Sequence, residues 1–490
     1  MTTARAMAVH GGRWAAVSSI GGTVIQLGAL LLLSRLLTPA IFGVMAVLLA
    51  IQAIANLFAQ AGLSAAIIQR ADVSRRALDS LYWLNVVLGA VVSVMVAALA
   101  PLVSDWFNMP ELAHTLPIFA VTIFFAAAGA QYLALAQKSL EFRSIAMIEL
   151  SAGALSAAVS VGLAVAGAGL WALVAGVMSG SFLSMLAWVI RGTRRNGRPR
   201  LVFDTNEVAG LISFGLLRFG AMLANTIVSR ADQLIVGAVL GAQSLGIYSV
   251  AIRLVMQPVE RINPIVSRVM FPIFSRFQTD RNLLRRGYLS VIRLLSAVNA
   301  PVLIGVAATA QWLVPAVLGD QWLGAVPVVR ILAVYAFFRV VINGGGSLIL
   351  GLGKAGWSFV WNAGLLLVLP PVIFVAASRA GLVGLCLVLV IVQILLTLLY
   401  HRVFIVRLIA VPLATFVVAL GRPLVTAGIT VAFVVVVIRS IPSMDEVYRL
   451  LWAIVAASAL YMLALRLLWI EDWRLLVELF RVRPARIEQV

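Results

Sequence analysis

At 490 residues, with 63% hydrophobic and only 11% charged side chains, the sequence carries too little charge to cover the surface of a soluble domain. The formal net charge of +19 would suggest nucleic acid in a soluble chain. Here the basic residues sit in short segments between apolar runs, without interleaved aromatics, so they read as topology signals at a membrane and no nucleic-acid partner is expected. The single cysteine, Cys386, rules out an internal disulfide, and the scattered His10, His114 and His401 suggest no metal-ligand set.

Apolar runs of about twenty residues recur from Trp14 to Trp469, each long enough to cross a hydrocarbon core of about 30 Å as a helix. They do not alternate in segments of about ten residues, which excludes a membrane barrel. The expectation is an all-α integral membrane protein with fourteen transmembrane helices. Arg5 and Arg13 precede the first run without a cleavage signal, so it reads as a retained helix. The expected spans are 14–37, 41–66, 80–103, 115–136, 145–166, 169–190, 211–239, 244–270, 289–309, 328–350, 356–376, 382–400, 423–439 and 447–468. The apolar stretch 404–420 carries Arg407 and Pro412 and is followed by Gly421-Arg-Pro423. It is expected to lie in the interface as a separate helix.

Alternate connections carry the basic residues: Arg70, Arg75 and Arg76; Lys138 and Arg143; Arg191, Arg194, Arg195, Arg198 and Arg200; Arg276, Arg281, Arg285 and Arg286; Lys354; and Arg402, Arg407 and Arg422. The intervening connections are nearly free of them. This places the first group, and both termini, in the cytoplasm.

Two short matches indicate a duplication. Residues 36–47 align with 239–250, setting Gly43 on Gly246, and Gly169-Leu-Trp-Ala-Leu aligns with Gly381-Leu-Val-Gly-Leu. They fall at equivalent junctions six spans apart, so the chain reads as two six-span halves in one orientation with a terminal pair: 1–200, 201–403 and 404–490. Gly176-Val-Met-Ser-Gly180 is a small-residue pattern suited to close helix packing.

Ionisable side chains within spans are costly and mark function. In the first half the expected spans hold only Arg35 and Glu149 near their ends, and the interior is polar but neutral. In the second half Arg218, Arg230 and Asp232 lie in span 7, Arg253, Glu260 and Arg261 in span 8, and Arg339 in span 10. Arg253, Gln257, Glu260, Arg261 and Pro264 share one helical face, and Arg218, Asn225, Ser229 and Asp232 trace a similar one. Two such stripes could line one aqueous cavity, and the planar guanidinium fork suits phosphate. The competing reading is mutual pairing, Arg230 with Asp232 and Glu260 with Arg261. Asp232 and Glu260 are also the candidates for a coupling proton. No nucleophile–base set or nucleotide loop stands out: Gly351-Leu-Gly-Lys354 lacks the phosphate-loop spacing. No cofactor and no enzymatic centre are expected.

Several segments carry a family resemblance: Arg35-Leu-Leu-Thr-Pro-Ala-Ile-Phe-Gly43, Gly62-Leu-Ser-Ala-Ala-Ile-Ile-Gln-Arg70, Ala168-Gly-Leu-Trp-Ala-Leu173, Asp232-Gln-Leu-Ile-Val-Gly237, Leu245-Gly-Ile-Tyr248, Phe271-Pro-Ile-Phe-Ser-Arg276 and Leu318-Gly-Asp-Gln-Trp322. In this order they resemble the polysaccharide-transporter branch of the multidrug/oligosaccharidyl-lipid/polysaccharide flippase superfamily, in particular its colanic-acid-exporter-like members. The resemblance implies two six-helix lobes around a central cavity that alternates between inward- and outward-open states. It implies an oligosaccharide repeat unit on undecaprenyl pyrophosphate as substrate, moved across the bacterial inner membrane for exopolysaccharide or lipopolysaccharide synthesis. A polysaccharide polymerase and export machinery are the implied partners. The pyrophosphate would then meet the second-half arginines, and Gln26, Gln52, Asn56 and Asn225 would face the glycan. A multidrug or lipid-II-type exporter of the same fold is the nearer alternative. A glycan polymerase or ligase would be expected to carry a sizeable periplasmic loop, and the outward connections here are short.

The orientation is directly testable. A periplasm-active reporter fused after Asp320 will be active and one fused after Arg198 inactive; the reverse pattern overturns it.

Overall fold

The computed structural model describes residues 2–60, 67, 73–202, 205–440 and 446–469. Among them every regular element is helical, as an unsheltered backbone in hydrocarbon requires. Among the described residues twelve helical runs are long and apolar enough to cross a membrane, which makes this a multi-pass membrane protein. Two of the runs, Met222–Gln257 and Gly356–Ile409, are unusually long and carry a non-helical residue inside: Gly241 at φ 78° and Gly381 at φ 65°. Both are backbone conformations that favour glycine.

The contacts divide the chain into two compact units, residues 1–249 with 365–374, and residues 250–364 with 375–490. The first unit contains α1 (Thr2–Leu36), α2 (Pro39–Gln60), α3 (Arg75–Ala98), the short α4 (Ala100–Phe107), α5 (Glu111–Lys138), α6 (Phe142–Val165), α7 (Leu170–Asn196) and the first part of α8 (Thr205–Arg276). In it α3 packs along α5, α6 along α7, α1 along α6, and α2 against α3 and α5. A Cβ at Gly176 would collide with Ser160, and one at Gly180 would lie 2.8 Å from the Ala152 carbonyl, so the small-residue pattern lets α7 approach α6 closely. Ser18 donates to Glu149 at 2.7 Å and Arg143 sits 5.5 Å above the Trp14 ring, fixing α1 on α6 at that end. The segment after α7 is strapped to α3: Trp83 Nε1 donates to the Arg200 carbonyl at 3.1 Å and the Ser80 hydroxyl to that of Val202 at 2.9 Å.

The second unit contains the rest of α8, then α9 (Arg281–Leu318), α10 (Ala325–Gly351), α11 (Ala355–Tyr400) apart from residues 365–374, a π-helical turn (His401–Ile405), α12 (Val406–Ile409), α13 (Leu413–Arg439) and α14 (Glu446–Leu468). Helix α9 is its axle, packing on α10, α13 and α14. Ser296 donates to the Leu420 carbonyl and Tyr461 to that of Ala297, both at 2.8 Å. His401 is buried in a stack with Phe416 at 4.2 Å, its Nε2 at 3.1 Å from the Val411 carbonyl.

The stretch 404–420 does not form the separate interfacial helix that the sequence suggested. The chain continues helically to Ile409, breaks at Ala410 (φ 52°) with Pro412 extended at the start of α13, and then runs unbroken to Arg439. Pro412 ends one helix because its ring and missing N–H cannot continue the ladder. Pro423, about three turns further on, costs a single hydrogen bond and is absorbed. Arg422 is accommodated by lying 4.6 Å over the Trp469 ring at the end of α14.

The repeat has a structural counterpart inside the first unit. A Cβ at Gly43 would collide with the carbonyl oxygen of Ala242, and one at Gly246 with the carbonyl oxygen of Pro39. The duplication register that sets Gly43 on Gly246 also sets Pro39 on Ala242, so the two contacts are one contact made twice about a local two-fold.

The expected consequence is steep. Gly43→Ala or Gly246→Ala will cost about 1–3 kcal/mol through backbone overlap and lower the detergent unfolding midpoint and membrane abundance. Gly22→Ala, where nothing lies within 4 Å, will not. Equal behaviour of the three would contradict the close crossing.

Candidate functional site

The sequence-derived charges fall in both units. Arg230 and Asp232 belong to the first, Arg253, Glu260 and Arg339 to the second. Arg218 and Arg261 lie on α8, but their side chains are outside the described residues. Arg230, half-buried, donates to Gln233 at 3.3 Å, one turn on, rather than to Asp232. Asp232 accepts from the Gln233 backbone N–H at 2.8 Å and from the Tyr248 hydroxyl at 2.7 Å. Tyr248 is fully buried. This bond spans the Gly241 break and ties two of the family-like segments, Asp232–Gly237 and Leu245–Tyr248, to each other. Arg253 and Glu260 are both exposed. Arg339 is half-buried, donates to the Tyr335 hydroxyl at 2.6 Å and lies 5.7 Å from the centre of that ring.

The neutral polar residues divide by engagement. Gln26 and Asn225 are exposed. Gln52 donates to the buried Thr122 hydroxyl at 2.6 Å, linking α2 to α5. The Asn56 carbonyl oxygen is buried with no hydrogen-bond partner among the described residues. Deeper in the α3–α5 seam, Asn85 is 1% exposed and neither amide atom has a partner, while Gln131 donates to the Leu78 carbonyl and leaves its oxygen unmatched. Orphaned amides in a buried seam call for water or a polar ligand. Asp79 is also buried in α3. The sequence reading missed it by starting span 3 at residue 80.

In the second unit an open cavity of about 640 Å³ lies along α13 and α14. Its described lining is wholly apolar and includes Phe433, Val437, Trp452, Ala456, Ala459 and Leu463. The paired alanines on α14, three residues apart, leave the room.

Residues 32–327 match the family described as polysaccharide biosynthesis protein. The chain belongs to that family. Among relatives, it is 30% identical to the teichuronic acid biosynthesis protein TuaB of Bacillus subtilis (strain 168), over 93% of this chain and 95% of that protein. It is 31% identical to the lipopolysaccharide biosynthesis protein WzxC of Escherichia coli (strain K12), over 86% and 85%. The fold is that of the lipid II flippase MurJ in an inward closed conformation, with a TM-score of 0.72 at 14% identity, covering 94% of this chain and 99% of that one. An inward-facing multidrug resistance transporter of the MATE family gives 0.56, covering 78% and 94%. The family match agrees with the polysaccharide-transporter resemblance of the sequence segments.

The Tyr248–Asp232 bond yields a test. Tyr248→Phe removes the hydroxyl that donates to the half-buried Asp232 carboxylate and will lower the unfolding midpoint in detergent, by about 1–3 kcal/mol of stability. Adding Asp232→Asn to it will cost less than the sum of the two single changes. Strict additivity would show that the two groups are not coupled.

Proposed function

We propose that this protein moves undecaprenyl-pyrophosphate-linked oligosaccharide repeat units across the bacterial inner membrane by alternating access, for exopolysaccharide or lipopolysaccharide synthesis. The observation that carries the reading is the near full-length alignment with TuaB. The fold shared with MurJ supports it. In this reading the breaks at Gly241 and Gly381 each separate two spans, which makes fourteen, with both termini cytoplasmic. Residues 1–200 and 201–403 form the two six-helix lobes, and 404–490 the terminal pair and its flanks.

The substrate has three chemically distinct parts, and each has a match. Arg218, Arg230, Arg253, Arg261 and Arg339 supply cations for the pyrophosphate. Gln26, Gln52, Asn56 and Asn225 supply amides for sugar hydroxyls. The apolar cavity between α13 and α14 suits the prenyl tail. Asp232 and Glu260 are the acids available to couple transport to protons. A polymerase on the far side consumes the delivered units.

A null strain will accumulate lipid-linked repeat units on the cytoplasmic side and lose polymer. Arg253→Ala will restore export poorly, and Arg253→Lys, which keeps the charge but not the fork, will restore it better, both at normal abundance. Release of single unpolymerised units by the null strain would instead mark a polymerase. Full rescue of Arg253→Ala by Glu260→Gln would show that Arg253 only neutralises that acid.

A further inference from the structure

Where α7 ends, a cavity of about 450 Å³ opens, with Ala187, Ile190, Arg191, Arg194 and Arg195 as its described lining. These positions advance in steps of three, one, three and one and so share one helical face. Two apolar residues come first and three arginines follow toward the helix end. The order along the helix is that of a lipid lying with its chain in the bilayer and its headgroup at the surface.

The arginines are not loosely extended. Glu141, at the start of α6, accepts from Arg191 Nη2 at 2.6 Å and pairs with Arg195 Nη1 at 2.5 Å. Its side chain is only 15% exposed. One carboxylate thus holds two guanidiniums, each of which engages through a single nitrogen and keeps further donors. Arg194, exposed between them in sequence, makes no ion pair or hydrogen bond among the described residues. The pocket carries three cations against one anion, and Glu141 holds two of the three in place.

We propose that this pocket binds the phosphate of a membrane lipid, with the chain of that lipid along Ala187 and Ile190. Arginine forks recognise phosphate oxygens in pairs, and basic pockets between helices at the cytoplasmic surface select anionic headgroups. The site is separate from the cation stripes of α8 and does not depend on their role. Two lipids share the required chemistry: an anionic phospholipid, and a prenyl diphosphate arriving from the cytoplasmic leaflet.

The test uses the full chain in neutral detergent, with retained lipid counted by native mass spectrometry. Phosphatidylcholine, phosphatidylglycerol and a prenyl diphosphate are offered separately. Phosphatidylglycerol or the prenyl diphosphate will be retained over phosphatidylcholine, and whichever it is names the source. Arg194→Ala will lower that occupancy about tenfold, the loss of one charge-assisted hydrogen bond, without moving the unfolding midpoint. Glu141→Gln will raise it, because it removes the anion that competes for Arg191 and Arg195. Equal retention of phosphatidylcholine, an unchanged Arg194→Ala or a fall in Glu141→Gln overturns the proposal.

Discussion

In hydrocarbon a backbone N–H or C=O without a partner costs several kcal/mol, and water is not there to supply one. Every feature of this chain is shaped by that constraint. The spans are helices because a helix closes its own hydrogen bonds. Among the described residues the long helical runs break at Gly241 and Gly381, where positive φ suits glycine, and at Ala410 beside Pro412. Hydroxyls within the spans obey the same rule. Thr115, Thr309, Thr397, Thr426 and Thr430 each donate to the carbonyl four residues earlier on their own helix. Side chains that cannot be satisfied locally, such as Asn85 and Gln131, therefore stand out.

Those exceptions fit a protein whose cargo is mostly water-loving. A flippase must carry sugars and phosphates through a slab that rejects them, so part of its interior has to stay polar while its outer faces stay apolar. Unmatched amides such as Asn85, and arginines set against an amide (Arg230) or an aromatic ring (Arg339), are two solutions to that requirement. Arg339 rests on Tyr335 one turn earlier in its own helix, donating to the hydroxyl and lying near the ring face. Arg191 and Arg195, at a helix end, are instead paired with an acid.

Most helix limits were legible because hydropathy reports directly on the bilayer: the expected 115–136 and 145–166 became Glu111–Lys138 and Phe142–Val165. The breaks at Gly241 and Gly381 fall in the gaps left between the expected 211–239 and 244–270 and between 356–376 and 382–400. Residues 404–420 were not, because proline is a weaker stop in a membrane helix than in a soluble one, and sequence cannot tell which of two prolines ends the ladder. Among the candidate site residues, periodicity found the charged faces of α8 but not their partners. Tyr248 reaches Asp232 across a backbone break, and Gln52 reaches Thr122 from another helix. Neither relation leaves a period. The cavity between α13 and α14 depends on Ala456 and Ala459 being small, which a hydropathy profile records only as apolar.

The paired crossing at Gly43 and Gly246 has an implication for how such a chain can diverge. A two-fold contact in which Pro39 meets Gly246 as Ala242 meets Gly43 is the geometry of a symmetric homodimer, here written into one polypeptide. In a homodimer any substitution appears twice, so a charge added to one lobe is added to the other. Fusion removes that bond between the copies. The glycines that hold the crossing are kept in both halves, while the arginines of α8 have no counterparts in α2. One chain can therefore hold a symmetric crossing and an asymmetric distribution of charge at once, which a pair of identical subunits could not.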